Sequence, residues 1–517
     1  MAEITRRSAL GLGAIGVVGL LAACAPEHPS PSHTPTKTPG SPPDWAALAS
    51  TTTGTLNRPG DAGYDTAKLT ENPEYDDAQP LAVLTAASAA DVAAGLAFAR
   101  KYAVPLALRS GGHSYPGWSS GGAPGTGMPA SLILDSRGMS TVTVNSDQTV
   151  TVGAGASLAQ VYDALGNAGR ALAGGSCATV GITGLTLGGG VGVLVRAYGL
   201  TCDALTEVQI VTADGKVRIA NEKTNADLFW ACRGGGGGHL GVVTRLTFTT
   251  VPAPFVTMFF LSWPMTRAAQ VIKAWQNWAP KANPKLWSTL KLLGGEQHPS
   301  GPQLTVSGTW LGDANGTGLD AQLAPFLDAV GTAPSEQDAG THNYGDAMMR
   351  YAGCAGLSLD QCQTGTGGKL TREPYANTSH IANDVLDDKG IADLIAQVQA
   401  AQKVKGMTEG GISMDALGGA VASVAPDATA FVHRSALASV QYTSTFAVGA
   451  APEPYYAYVR GFRAAMTPHW GNGAYVNYAD AELTDPATAY FGDNAAQLAA
   501  VVSKYDPRGL FTQPQRY

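Results

Sequence analysis

Residues 174–194 read Gly-Gly-Ser-Cys-Ala-Thr-Val-Gly-Ile-Thr-Gly-Leu-Thr-Leu-Gly-Gly-Gly-Val-Gly-Val-Leu. Eight glycines fall in this stretch, three of them consecutive at Gly188, Gly189 and Gly190. Glycine takes φ > 0 without strain and lets another surface come against the main chain. The stretch therefore predicts backbone wrapped against a flat or phosphorylated ligand. It is not a nucleotide-binding P-loop, because no Gly-Lys-Ser/Thr follows. With 64 glycines in 517 residues, Gly-x-Gly-x-x-Gly spacing alone carries little weight; the informative residue is Cys177, set between the glycines. Upstream, Arg109-Ser110-Gly111-Gly112-His113-Ser114-Tyr115-Pro116-Gly117 sets a histidine in the same surroundings. Successive amides of such a turn can hold a pyrophosphate, with the Ser110 and Ser114 hydroxyls assisting.

Together the two stretches resemble the flavin-attachment segments of the berberine bridge enzyme-like, vanillyl-alcohol-oxidase-type (PCMH-type) FAD oxidases. The resemblance implies FAD bonded twice, through its C8 methyl group to His113 and through C6 to Cys177. It also implies contacts to the cofactor from Arg109, Ser110, Gly111, Gly112, Ser114, Val180, Gly181, Thr183, Gly184 and Gly188, then from Gly241, Val243 and Asn477. The fold it implies is α+β: a PCMH-type, two-subdomain FAD-binding domain and a substrate domain in which helices cover an antiparallel sheet. In the family a valine at the position of Val180 accompanies oxygen-reactive members, so hydrogen peroxide is the expected co-product. Two bonds to the flavin imply an open substrate groove, suited to saccharides and to glycosylated or secondary metabolites.

Composition sets limits that agree. Hydrophobic residues make up 44% of the chain and charged residues 14%, with a net charge of -7. That predicts a large folded body and excludes nucleic acid as a partner, which calls for a basic surface. No metal site is expected. Thr5-Arg6-Arg7-Ser8 is a twin-arginine pattern, and Leu21-Ala22-Ala23-Cys24 resembles a lipoprotein cleavage box. These predict export, with membrane attachment only through a lipid on Cys24; an uncleaved anchor helix is the plainer alternative.

The expected domains are a signal at 1–24, a Pro/Ser/Thr-rich spacer at 25–44, an FAD-binding domain at 45–251, a substrate domain at 252–466 and a returning segment at 467–517. Within the FAD-binding part, strand, helix, strand is expected from Leu81 to Leu108, with Ser88 starting the helix. Ser157 caps a helix through Leu165, and Asp214-Gly215 turns a hairpin into Val217 to Ala220. Beyond Pro252, helices are expected at Ala268 to Trp278 and Leu319 to Val330, strands at Leu286 to Leu293 and Leu304 to Leu311. A further helix from Tyr455 stops at Met466, before Pro468. Cys354 and Cys362 are expected to form a disulfide; Cys202 and Cys232 read as small buried residues.

Met414-Asp-Ala-Leu and His433-Arg434 resemble the family's substrate-domain strands. On the strand that follows, Gln441 or Tyr442 faces the substrate, not both, because side chains alternate; Met414 is the third substrate candidate. Tyr475-Val-Asn477-Tyr478-Ala-Asp480 resembles the family's Asn-Tyr-x-Asp stretch, whose tyrosine points at the flavin. Tyr478 is the expected base for an alcohol proton, with Arg196 or Tyr198 lowering its pKa from about 10 and Tyr198 next in line as base. The resemblance spans about Tyr75 to Gln515, departing from the usual ending only at Arg516-Tyr517. It implies an FAD oxidase acting on CH–OH groups, with dioxygen as acceptor. A flavin dehydrogenase, a Cys177–His113 thiol enzyme and a glycan-binding lipoprotein without chemistry are the other readings.

Overall fold

The computed structural model describes residues 41–515. The twin-arginine pattern, the Cys24 box and Arg516-Tyr517 lie outside the described residues. Local chemistry starts the elements where the sequence predicts. Ser88 Oγ accepts the Asp91 amide to open the helix Ala89–Tyr102. Ser157 and Gln160 form a reciprocal capping box that opens Leu158–Asn167, leaving no amide of the first turn without a partner.

Three sheets organise the chain. In the first, Ala82–Thr85, Leu132–Asp135 and Leu106–Arg109 run parallel, with Thr55–Asn57 antiparallel at the edge. Strand Leu106–Arg109 delivers the chain into the Gly-Gly-His turn at the carboxyl end of this sheet. The second sheet has five antiparallel strands, with Val242–Thr249 at its centre between Thr149–Gly153 and Leu205–Val211. The third has seven antiparallel strands, ordered Glu336–Asn343, Phe255–Trp263, Gln303–Gly312, Leu286–Gly294, Met407–Ala416, Ala438–Phe446 and Tyr375–Ala382. Helices Ala268–Trp278, Leu319–Val330, Asp388–Ala400 and Glu453–Trp470 close one face over Leu290, Leu292, Ile412, Met414, Val440 and Tyr442. The period-2 alternation of strands sends Thr289, Lys291, Ser413, Asp415 and Gln441 to the opposite face. This is the expected α+β architecture, with two sheets built from strands up to Thr249 and a helix-covered antiparallel sheet beyond them.

One expectation shifts. The helix from Glu453 continues through Pro468 to Trp470. A proline inside a helix forfeits one backbone hydrogen bond. Here the preceding Thr467 Oγ1 donates to the Arg463 carbonyl, and buried Met466 and Trp470 hold the last turns in the core, with Trp470 Nε1 donating to Asp384 O. The edge strand Glu336–Asn343 also escapes sequence reading, because most of its residues are exposed and polar. The Cys354–Cys362 disulfide forms as expected, Cα to Cα 5.5 Å, while Cys202 and Cys232 are separate buried thiols.

The His433-Arg434 pair does its work through Arg434. Its guanidinium makes two 2.8 Å bonds to the Asp203 carboxylate, one of 2.7 Å to Thr429 Oγ1, and lies over the Phe431 ring. Both partners are shielded from solvent, so this pair ties the segment ahead of strand Ala438–Phe446 to the end of the glycine-rich region. Removing one partner of a buried pair strands the other. Arg434→Met is expected to cost about 3–5 kcal/mol in urea unfolding, and adding Asp203→Leu to recover much of that loss.

Candidate active site

Glycine is what brings the two cofactor-type stretches together. A Cβ on Gly111 would lie 2.2 Å from the Gly181 amide nitrogen, and one on Gly181 would lie 2.2 Å from Ser110 Oγ. Only hydrogen at both positions permits that approach, and it gathers His113 and Cys177 to one cleft. His113 Nε2 is engaged by Thr179 Oγ1 at 2.8 Å, which leaves Nδ1, 3.8 Å from Glu71 Oε2. Burial lowers the His113 pKa to about 4, so the imidazole is neutral at physiological pH. Cys177 is exposed to the cleft and unpaired with any other cysteine. Its thiol pKa is raised by desolvation and by Glu71, partly offset by Lys291.

The C-terminal segment supplies the facing wall. Tyr475 Oη accepts the Gly190 and Val191 amides at 2.9 and 3.1 Å, and Asn477 Nδ2 donates to Leu185 O and to Tyr475 Oη. Gly188 is pressed against this anchor: a Cβ there would sit 2.1 Å from Asn477 Oδ1. The anchor holds the Tyr478 ring edge-on to Tyr475 at 5.0 Å and stacked on Tyr115 at 5.8 Å. Tyr115 accepts a 2.7 Å bond from Gln441 Nε2 and meets Tyr375 edge-on. Asp415 completes the group: its charge is among those that raise the Tyr478 pKa, after desolvation, and burial raises its own against the lowering effects of Thr289 and Lys291.

Several sequence-predicted residues sit elsewhere. Met414 and Tyr442 belong to the core under the helices, where Tyr442 Oη bonds His380 Nδ1 at 2.8 Å and its ring packs on Phe462. Neither faces the cleft; of the pair on that strand, Gln441 does. Arg196 is spent on the carbonyls of Pro280, Ala282, Leu286 and Leu417, so it cannot lower the pKa of Tyr478. Among the described residues, no hydrogen bond or ring contact joins Tyr198 to Tyr478. The Tyr478 hydroxyl stands well above its ordinary pKa rather than below it, because burial penalises the phenolate and the Asp415 charge adds to that penalty. Arg109 is fully used by Asp135 and by the carbonyls of Ala67, Lys68 and Leu69. Ser110 Oγ and Thr183 Oγ1 both donate to Ala154 O, so neither hydroxyl has a proton left for a phosphate. Ser114 Oγ accepts from Trp118 N and keeps its own. The side chain of Val243 is core, and Gly241 lies tight against Val211 O; both can meet a cofactor only through backbone.

Four residues of the group escaped sequence reading: Glu71, Tyr115, Lys291 and Asp415. Tyr115 and Asp415 adjoin residues that were singled out, and strict strand alternation from Met414 points Asp415 to the open face. Glu71 and Lys291 carry no such signal.

The cleft fits a dinucleotide with a flat ring. Among the described residues, the amides of Gly111, Gly112, His113 and Ser114 make no hydrogen bond within the protein. Nothing lies within 4 Å of a Cβ position on exposed Gly184, and Ser439 Oγ is buried without a partner on the Asp415 side of its strand. Residues 80–221 match the FAD binding domain family, and residues 474–516 the berberine and berberine-like family. An FAD-linked oxidoreductase of Bacillus subtilis, YvdP, is 32% identical over 90% of this chain and 97% of its own. The chain belongs to the berberine bridge enzyme-like FAD-linked oxidoreductases. A chitooligosaccharide oxidase of Gibberella zeae is 30% identical over 84% of this chain and 87% of its own. The solved structure of an Acremonium strictum glucooligosaccharide oxidase, described as carrying 6-S-cysteinyl, 8α-N1-histidyl FAD, superposes with a TM-score of 0.79 at 27% identity, covering 91% of this chain and 99% of that one. Among the described residues, no helix is long and apolar enough to cross a membrane.

The two faces of strand Ala438–Phe446 are separable by mutation. Tyr442→Phe loses the His380 bond and is expected to cost about 1 kcal/mol of stability with substrate-driven flavin reduction unchanged. Gln441→Ala is expected to leave the melting temperature near the wild-type value and to slow that reduction. Stopped-flow absorbance and thermal unfolding read the two effects.

Proposed function

We propose that this oxidoreductase oxidises an alcohol carbon of a saccharide or glycosylated metabolite and passes the electrons to dioxygen, using FAD bonded to both His113 and Cys177. The observation that carries the reading is the convergence of a neutral histidine, an open thiol and the Tyr478 ring stacked on Tyr115 at one cleft. The sugar-oxidising relatives point to the substrate class, and hydroxyl-rich substrates suit the hydrogen-bonding wall of Tyr115, Gln441 and Asn377.

Bound FAD supplies the hydride acceptor; the chain supplies attachment, orientation and proton transfer. The unpaired amides of the His113 turn and the Ser114 hydroxyl would hold the cofactor, with Gly184 leaving room for it, while Gly181 and Gly188 serve the close packing of the chain on itself. Val180, half-buried three residues after Cys177, would leave dioxygen a path. Tyr478 is protonated at neutral pH, so it acts as base only by giving up its own proton as it receives the alcohol's. Asp415 is the acceptor for that proton, and Lys291 favours the ionised carboxylate that can take it. Tyr198 is the reserve candidate for base. Export by the twin-arginine route and a lipid on Cys24 rest on the sequence of residues 1–24.

Attachment is tested by acid precipitation. The wild-type pellet is expected to stay yellow, as are those of His113→Ala and Cys177→Ala, while the double variant releases its flavin. Release of all FAD from the wild type overturns double attachment.

The base is tested by anaerobic single-turnover reduction against a panel of oligosaccharides. Tyr478→Phe and Asp415→Asn are each expected to slow it by about 10²–10⁴, with reoxidation of chemically reduced enzyme unchanged. Wild-type reduction rates in both variants remove the pair from the mechanism.

A further inference from the structure

Glu71 is a carboxylate that the alcohol chemistry above does not use. It lies in the turn ahead of Pro73, where its amide donates to Gly112 O in the cofactor turn itself. Its Oε2 faces His113 Nδ1 at 3.8 Å, the ring nitrogen that Thr179 leaves free. Tyr375 Oη donates to the same oxygen at 2.8 Å and so fixes its direction from the substrate-domain sheet. Arg372 clamps Asp76 with its guanidinium and gives Nε–H to the Glu71 carbonyl, so its charge offsets only part of the effect of burial on the Glu71 carboxyl. Both Glu71 and His113 are largely shielded from solvent. Burial raises the pKa of the Glu71 carboxyl, which makes its anion a stronger proton acceptor than an exposed one.

We propose that Glu71 is the proton acceptor for the covalent attachment of FAD to His113. The proposal rests on the attachment reading given above. In this step a C–H bond of the flavin's C8 methyl group breaks and its proton passes to the Glu71 carboxylate. A bond forms between that carbon and His113 Nδ1, and the imidazole's remaining N–H proton leaves to solvent. The two electrons of the broken bond stay on the flavin until dioxygen, the oxidant of the catalytic cycle, removes them as hydrogen peroxide. The low pKa of His113 serves the same end, because a neutral ring offers Nδ1 as a nucleophile.

The test follows attachment rather than turnover. Full-length apoprotein from riboflavin-starved cells is mixed with FAD, and adducts on the peptides containing His113 and Cys177 are followed separately by mass. In wild-type protein both peptides are expected to gain FAD; if neither does, the attachment reading itself fails. In Glu71→Gln, FAD is expected to bind, and the His113 adduct to form at least about 100-fold more slowly, with the Cys177 adduct still present. Glu71→Asp is expected to restore the His113 adduct in part, and acetate to accelerate it in Glu71→Ala. A wild-type rate of His113 adduct formation in Glu71→Gln overturns the proposal. So does a Glu71→Gln protein that binds no FAD at all, because Glu71 is then structural. Should Glu71→Gln not fold, the acetate response of Glu71→Ala decides, and no acceleration overturns the proposal.

Discussion

The site depends on one contact: Asn477 and Tyr475 seated against the glycine-rich backbone at Gly188 to Val191. Tyr475 Oη takes up two amides that a tightly turned glycine run leaves without backbone partners, and an unpaired buried amide costs as much as a lost hydrogen bond. The glycines make the approach possible, and the tyrosine and asparagine make it favourable. Because Tyr478 follows on the same short helical turn, Val476–Tyr478, the contact that fastens the returning segment also aims the candidate base. Loosening it would move chemistry and fold together.

Electrostatics in the cleft run against the simplest expectation for a phenolic base. Among the described residues, no cation lowers the Tyr478 pKa; Arg196 is buried among carbonyls, and after burial the largest influence on Tyr478 is the Asp415 charge. A low-dielectric wall keeps the phenol protonated, so proton removal needs a relay rather than a standing tyrosinate. The same burial that raises the phenol lowers His113 to a neutral ring. Desolvation thus prepares two groups for opposite tasks, one to hold a proton until it is exchanged, the other to be free of one.

The seven-stranded sheet divides labour by face. Met414, Val440 and Tyr442 hold the helices, while Asp415 and Gln441, one residue away from Met414 and Tyr442, look toward the FAD-binding part. A register slip of one residue would exchange these sets, so the hydrophobic core under the helices is what keeps an acid and an amide in the cleft. The Arg434–Asp203 pair then fixes this sheet's approach to the glycine-rich region.

Periodicity, caps and turn residues determined much of this protein from sequence alone. The helices Ala268–Trp278 and Leu319–Val330, the Ser157 capping box and the Cys354–Cys362 bridge are local matters, set by residues within a few positions of one another. The two proposed attachment residues were legible because glycine clusters around His113 and Cys177 are rare enough to carry a family resemblance. What the sequence left open was which long side chains would be consumed by the fold. Arg109 and Arg196 looked available, yet each is satisfied by carbonyls contributed from distant segments. Gln441 and Tyr442 were equal candidates until packing assigned one to the cleft and the other to His380. Glu71, Lys291 and Asp415 meet the site only through contacts between segments well separated in the chain. Tertiary structure decided these because a hydrogen bond or a charge acts through space, and no local pattern encodes which distant partner will occupy that space.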